Sequence, residues 1–141
     1  MMEDNESSYR RWVEEVWNGG REESIEELFD ENGVASYPYF LKGTEPIRGR
    51  ENFKKFYRQA RETFADIKVR IEEMVSQGNQ ITVLCEVSAK RKDIGSDGLP
   101  RFEPVNMRSL CKIIYRNGKI TELWNNISIS EESKQVFSYF C

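Results

Sequence analysis

The chain has 141 residues, of which 38% are hydrophobic, 12% aromatic and 32% charged, with a formal net charge of −3. That is one domain of ordinary size, with apolar material enough for a core and no room for a second domain. The 21 Lys and Arg are interleaved with 24 acids, so there is no basic stripe for a phosphate backbone and nucleic acid is not an expected partner. Cys85, Cys111 and Cys141 are odd in number and lack metal-ligand spacing. They predict no disulfide framework, no metal or other cofactor, and a reducing cytoplasm. The acidic start Met1-Met2-Glu3-Asp4-Asn5-Glu6 has no apolar stretch, which predicts neither a signal peptide nor a membrane span.

From Tyr9 the apolar residues Tyr9, Trp12, Val13, Val16 and Trp17 recur at helical spacing, predicting an amphipathic helix that Gly19-Gly20 ends. A second, shorter helix is predicted over residues 22–29, with Ile25, Leu28 and Phe29 on one side and acids toward its start, where they complement the helix dipole. Asp30-Glu31-Asn32-Gly33 reads as a turn. Residues 34–41 look extended, but Pro38 removes a ladder donor, so an edge or bulged strand is expected there. After a loop over 42–50, Phe53, Phe56, Tyr57, Ala60 and Phe64 again keep helical spacing and predict a third helix that covers the sheet.

The sheet proper is expected to begin at Asp66-Ile67. Ile67, Val69 and Ile71 alternate with Lys68, Arg70 and Glu72, and Gln77-Gly78-Asn79 turns the chain into a strand over 80–92. There Ile81, Val83, Cys85, Val87 and Ala89 share one face, while Leu84 marks an apolar contact on the other. Residues 93–100 read as a long polar connection, a flap at a pocket mouth. Residues 105–116 and 119–129 alternate on either side of Asn117-Gly118. That pair is the strongest short-range hairpin signal, because both central residues of a type I′ turn need positive φ. Ser130-Glu131-Glu132 has the composition of a helix start, and Val136, Phe137 and Phe140 give a short C-terminal helix its packing side. Three helices with one early strand, then a four-stranded antiparallel meander, make a single α+β domain over 1–141.

The order of these elements, and the residues at their joints, resemble the SnoaL-like branch of the NTF2-like superfamily. Val16-Trp17-Asn18-Gly19 and Glu26-Glu27-Leu28-Phe29 resemble its first helix pair, and Ile47-Arg48-Gly49-Arg50-Glu51 its lead into the third helix. Phe64-Ala65-Asp66-Ile67 is similar to its step into the sheet, and Gly118-Lys119-Ile120-Thr121-Glu122-Leu123-Trp124 to its last strand. The resemblance implies a cone: a curved antiparallel sheet wrapped around three N-terminal helices, with a short C-terminal helix and a homodimer through the sheet. That fold serves polyketide cyclases, ketosteroid isomerase and binding modules without chemistry, so function has to be argued from the site. Cyclase-type members use an acid, often with a histidine, as acid and base. This chain has no histidine, and where the family commonly reads Trp-Asp-x-x-Asp it has Trp124-Asn125-Asn126-Ile127-Ser128.

Candidate chemistry is therefore sparse. By strand alternation Glu122, Trp124, Asn126 and Ser128 share a face. Were that face concave, Glu122 would be a desolvated base and Asn126 a donor to an oxyanion; on the rim, Glu122 is a solvated carboxylate beside a structural Trp. Asp66 is the second candidate base, with the alternative that it bonds local backbone at a helix-to-strand joint. Trp12, Tyr37, Tyr57 and Trp124 are the rings selected for a ligand site, where apolar bodies meet a few polar handles, although a small α+β core contains such rings as well. Cys111, on a face with Val105, Met107, Ser109, Ile113 and Tyr115, joins them; free Cys in such company is most often an inert buried hydrophobe. The expected function is binding of a small apolar organic ligand by aromatic packing and carboxamide hydrogen bonds. Two alternatives stay open. One is an isomerase or cyclase with Glu122 or Asp66 as base and Asn126 and Tyr37 as polarising donors; the other is an interaction module using the outer sheet face at Thr82, Leu84, Asn106, Arg108 and Leu110.

Overall fold

The computed structural model describes residues 4–37 and 45–129; the Pro38 segment and the expected C-terminal helix lie outside them. The described elements are α1 (Asn5–Arg11), continuing as a π-helical stretch (Trp12–Asn18), α2 (Glu23–Leu28), β1 (Phe29–Ser36), β2 (Ile47–Arg48), α3 (Arg50–Thr63), β3 (Phe64–Gln77), β4 (Gln80–Ile94), β5 (Pro100–Arg116) and β6 (Lys119–Ile129). The strands form one six-stranded sheet in the order β2-β1-β6-β5-β4-β3, curved and unclosed around the N-terminal helices. The expected α+β domain with its β3-to-β6 meander is what forms.

Asp4 caps α1 by accepting the Ser7 N–H at 2.7 Å. The apolar stripe that starts at Tyr9 runs on into the π-helical turns, where Trp12, Val13 and Val16 are buried. Helical periodicity placed the stripe but gave no sign of the wider turn. The stretch stops where expected: a Cβ on Gly19 would sit 2.8 Å from the Glu14 carbonyl oxygen. Beneath it the rings pack closely, Phe29 stacked on Phe53 at 4.7 Å and Tyr37 tilted against Phe56 at 4.7 Å between centroids.

Glu15 ties α1 to α2. It accepts from Arg11 Nε at 2.7 Å and from the Ser24 hydroxyl at 2.7 Å. Those two bonds, Arg11 first, hold its carboxyl at about 2 against an ordinary 4.5. A depressed folded-state value stabilises fully above the unfolded value and is lost as pH falls through the folded one. Its side chain is 22% exposed, so screening leaves a contribution of ~1–2 kcal/mol. Glu15→Gln is accordingly expected to lower stability by ~1–2 kcal/mol at neutral pH and, in calorimetric scans, to flatten the fall in Tm between pH 4.5 and 2.

Four departures from alternation shape the sheet. The first is in β1, where Phe29 to Val34 spans only Ile120 to Glu122 on β6, so residues 30–33 bulge out of the ladder rather than reversing the chain. The turn chemistry read from the sequence is present, with the Asn32 N–H on Asp30 Oδ2 at 2.8 Å. Gly33 is pressed against the Phe29 ring, within 2.6 Å of where a Cβ would lie. Nor is β1 an edge strand: it pairs in parallel with β6 and antiparallel with the short β2. Among the described residues that pairing runs as far as Ser36.

The second and third departures are register slips in β3, between Ala65 and Lys68 and between Ile71 and Glu73. Bulges bend the strand that carries them, which gives the sheet its curvature. The expected flap over 93–100 is instead a continued ladder, with β4 and β5 paired as far as Ile94 and Pro100. A tight turn closes it, the Gly95 N–H on the Leu99 carbonyl at 2.8 Å and the Leu99 N–H on Asp97 Oδ1 at 3.0 Å. Its polarity reflects an arm exposed on both faces.

The β5–β6 hairpin turns at Asn117 and Gly118 with φ of 51° and 75°, as the sequence predicted. The fourth departure follows at once. Tyr115 faces Ile120 but Ile114 faces Glu122, leaving Thr121 as an extra residue, its hydroxyl donating to the Ile114 carbonyl at 3.1 Å. One inserted residue exchanges the faces of everything beyond it. Ile120 points inward, and past the bulge Leu123 is buried while Trp124 is 52% exposed.

Candidate functional site

Between the helices and the concave face lies a partly open cavity of about 90 Å³. Tyr9, Trp12, Val13 and Trp17 enter it from α1 and the π-helical stretch, and Phe56 and Ala60 from α3. The sheet supplies Val69, Cys85, Val87, Met107, Ser109, Cys111, Leu123 and Asn125, with Tyr37 beside the end of β1. It separates the main core from a smaller cluster of Phe64, Ile67, Ala89, Val105 and Met107.

Two small sets of polar atoms interrupt this apolar wall. At one, the Tyr9 hydroxyl lies 3.8 Å from Cys85 Sγ, and the Cys111 thiol is directed at the Ser109 hydroxyl at 3.8 Å. At the other, Tyr37 lies beside the Asn125 carboxamide, whose Oδ1 is shielded from solvent with no hydrogen-bond partner among the described residues. Burial pushes the Tyr9 and Tyr37 phenols well above their ordinary value, with Asn125 opposing the shift at Tyr37. The same desolvation raises the Cys85 thiol and carries Cys111 up to about 12. All four groups are neutral at physiological pH, and no lining side chain among the described residues is a carboxylate, an amine or a guanidinium. Such a wall can solvate an apolar body and exchange hydrogen bonds with it, but offers no group poised to take a proton near pH 7.

Of the residues selected from the sequence, Trp12, Tyr37 and Cys111 line the cavity. Tyr57 is buried at 2% exposure but points the other way, donating to the Val16 carbonyl at 2.8 Å. Glu122, Trp124 and Asn126 are exposed on the outer face of β6. That corrects the conditional reading of their face as the concave one, and the Thr121 bulge is the reason. Asp66 is a bulge residue with φ 52°; its carboxylate is 70% exposed and 3.5 Å from Lys90 Nζ. The Ser128 side chain lies outside the described residues. Tyr9, Trp17, Ser109 and Asn125 were not selected. Tyr9 and Trp17 were legible in the helical stripe, and Asn125 in the odd spacing of Ile120 and Leu123, which cannot share a face unless a residue is inserted between them.

No group of three or more His, Cys, Asp or Glu side chains able to hold a metal occurs among the described residues. No described helix is long and apolar enough to cross a membrane.

The family model for SnoaL-like polyketide cyclases matches residues 7–135. The chain belongs to that family. Solved structures carry the same fold. This SnoaL-like chain superposes on wild-type IdmH of Streptomyces antibioticus, a candidate polyketide cyclase, with a TM-score of 0.78 at 20% identity, covering 97% of this chain and 99% of that one. AclR of Streptomyces galilaeus, a candidate hydroxylase, gives 0.74 at 13% identity over 100% and 88% of the two chains. An NTF2-like protein of unknown function from Burkholderia pseudomallei gives 0.72 at 15% identity over 96% of each. No curated protein matches the sequence. Identities this low establish the fold of this SnoaL-like chain and leave its chemistry to its own residues.

Proposed function

We propose that this SnoaL-like protein binds a small, neutral, largely apolar organic molecule in the cavity between its helices and sheet, without a carboxylate acting as base. The observation that carries this reading is the lining itself: rings, aliphatic groups, thiols and a single carboxamide, with no charged side chain among the described residues. A cyclase or isomerase mechanism through Glu122 or Asp66 is disfavoured, because both carboxylates are exposed to solvent outside that lining. Size narrows the ligand further. The cavity of about 90 Å³ is smaller than the ~300–1,000 Å³ typical of drug-sized ligands and the ~150 Å³ apolar cavity that holds benzene. Since the cavity is partly open, only a small group seats fully within its walls, and the rest of a larger ligand extends through the mouth. Toluene at millimolar concentration is expected to raise Tm in calorimetric scans, and Ala89→Leu, which fills the wall, to abolish the rise. An unchanged Tm in wild-type protein refutes the reading.

A second reading, a homodimer through the outer sheet face, has its own support. Leu110 at 49% and Trp124 at 52% exposure lie on that face, with Leu84 opposite Leu110 and Lys112 opposite Trp124. A flanking row carries the Arg70–Glu86 and Arg108–Glu72 ion pairs, an apolar centre with a charged rim that suits a second copy. Free, buried Cys85 and Cys111 thiols fit a cytosolic setting. Leu110→Glu is expected to weaken dimerisation at least about 100-fold in sedimentation equilibrium, since an unpaired buried charge costs ~3–5 kcal/mol. A wild-type chain that sediments as a monomer at high concentration overturns the dimer.

A further inference from the structure

Trp17 stands where the two halves of the interior meet. It packs against the main core and also against the smaller cluster of Phe64, Ile67, Ala89, Val105 and Met107, the two bodies that the cavity separates, and it forms part of the cavity wall. The width of the helical turn puts it there. Five residues at about 100° each would set Trp17 roughly 140° round from Trp12 in an α-helix, at the far edge of the apolar stripe. The stretch Trp12–Asn18 is π-helical instead. Bonding from residue i to i+5 brings the fifth residue back toward the first, and Trp12 and Trp17 line the cavity together.

The position of Trp17 is pinned by its neighbours. Arg61 Nη1 donates to its carbonyl at 2.9 Å. Its ring tilts against Tyr57 at 5.3 Å between centroids, and the Tyr57 hydroxyl is in turn anchored on the Val16 carbonyl at 2.8 Å. The next residue, Asn18, accepts the Val69 N–H at 2.7 Å and donates to the Val69 carbonyl at 3.0 Å. Swinging the indole aside sacrifices ring packing or backbone bonds, so Trp17 acts as a fixed partition in a close-packed interior.

We propose that Trp17 determines the size of the group that the cavity buries, confining it to about one ring, so that the second ring of a fused bicyclic ligand is left at the mouth in contact with water. This rests on the reading of the cavity as a ligand site and adds to it the residue that sets which ligands it prefers. Without the indole, the space between the two clusters is continuous and the second ring is buried with the first. The extra burial is apolar, and it tightens the larger ligand selectively.

The test is isothermal titration calorimetry with toluene and naphthalene on the wild-type chain, Trp17→Ala and Trp17→Phe. Its readout is the ratio of naphthalene to toluene affinity, which a loss of packing common to both ligands does not move. Trp17→Ala is expected to raise that ratio tenfold or more, and Trp17→Phe, a smaller ring on the same backbone, about threefold. A ratio that is unchanged or lowered overturns Trp17 as the size-determining residue while leaving the cavity reading intact. Binding of neither molecule to any of the three proteins removes the cavity reading and this inference with it. Because Trp17→Phe keeps a ring between the two clusters, it decides the matter even where Trp17→Ala fails to fold.

Discussion

Phe53→Ala is expected to remove a large fraction of the stability of the protein, lowering it by ~3–5 kcal/mol and Tm by about 10 °C or more. Phe53 is 0% exposed and is the ring the others share: Phe29 at 4.7 Å, Trp12 at 5.4 Å, Phe56 at 5.9 Å and Tyr37 at 6.2 Å between centroids. Its removal forfeits the transfer term and opens a hole that rings from four different stretches cannot easily fill. Since domains of this kind hold only ~5–15 kcal/mol, the loss is a large fraction of the whole. Phe53→Leu, which keeps much of the volume, is expected to cost about 1.5 kcal/mol or less. Urea unfolding at constant m-value reads both, and a cost below about 1 kcal/mol for the alanine variant refutes Phe53 as the hub. Because Trp12, Tyr37 and Phe56 also line the cavity, the alanine variant should bind toluene differently even where it remains folded.

The dependence of the site on a few irregular positions explains which parts of it the sequence disclosed. β4 and β5 obey the period of two almost throughout, with Val105, Met107, Ser109, Cys111, Ile113 and Tyr115 all buried, so Cys111 was legible as an inward residue. The Asn117-Gly118 turn carries its own signature in the two positive φ values. The Thr121 bulge carries none, because a strand with an inserted residue still reads as a strand. Alternation kept Glu122, Trp124 and Asn126 together correctly, but it could not say which face was concave. Asn125 was noticed for the acid it replaces and not for the cavity it reaches. The parallel β1–β6 pairing was equally hidden, since it joins Ser36 to Trp124 across most of the chain, and non-local pairing leaves no mark in local pattern.

Asn18→Leu is expected to cost ~2–3 kcal/mol, more than an average polar-to-apolar change. The Asn18 side chain stands in for a strand: its Oδ1 accepts the Val69 N–H at 2.7 Å and its Nδ2 donates to the Val69 carbonyl at 3.0 Å. β3 is the last strand of the described sheet, so the backbone groups of Val69 that point away from β4 have no neighbouring strand among the described residues, and one carboxamide satisfies both. Leucine leaves a partly buried N–H and carbonyl unpaired at the same residue. Aspartate keeps the acceptor but sets a carboxylate against the carbonyl, so Asn18→Asp should fall between wild type and Asn18→Leu. Hydrogen exchange separates this from general loosening: the Val69 amide should lose protection well beyond the drop at Val83 or Ile113, which lie inside the sheet. Equal losses at all three amides overturn the assignment. The effect also reaches the ligand, because Trp17 and Val69 both line the cavity and the Asn18 bonds fix the distance between them. Toluene affinity is therefore expected to fall in Asn18→Leu under conditions where the chain is still folded.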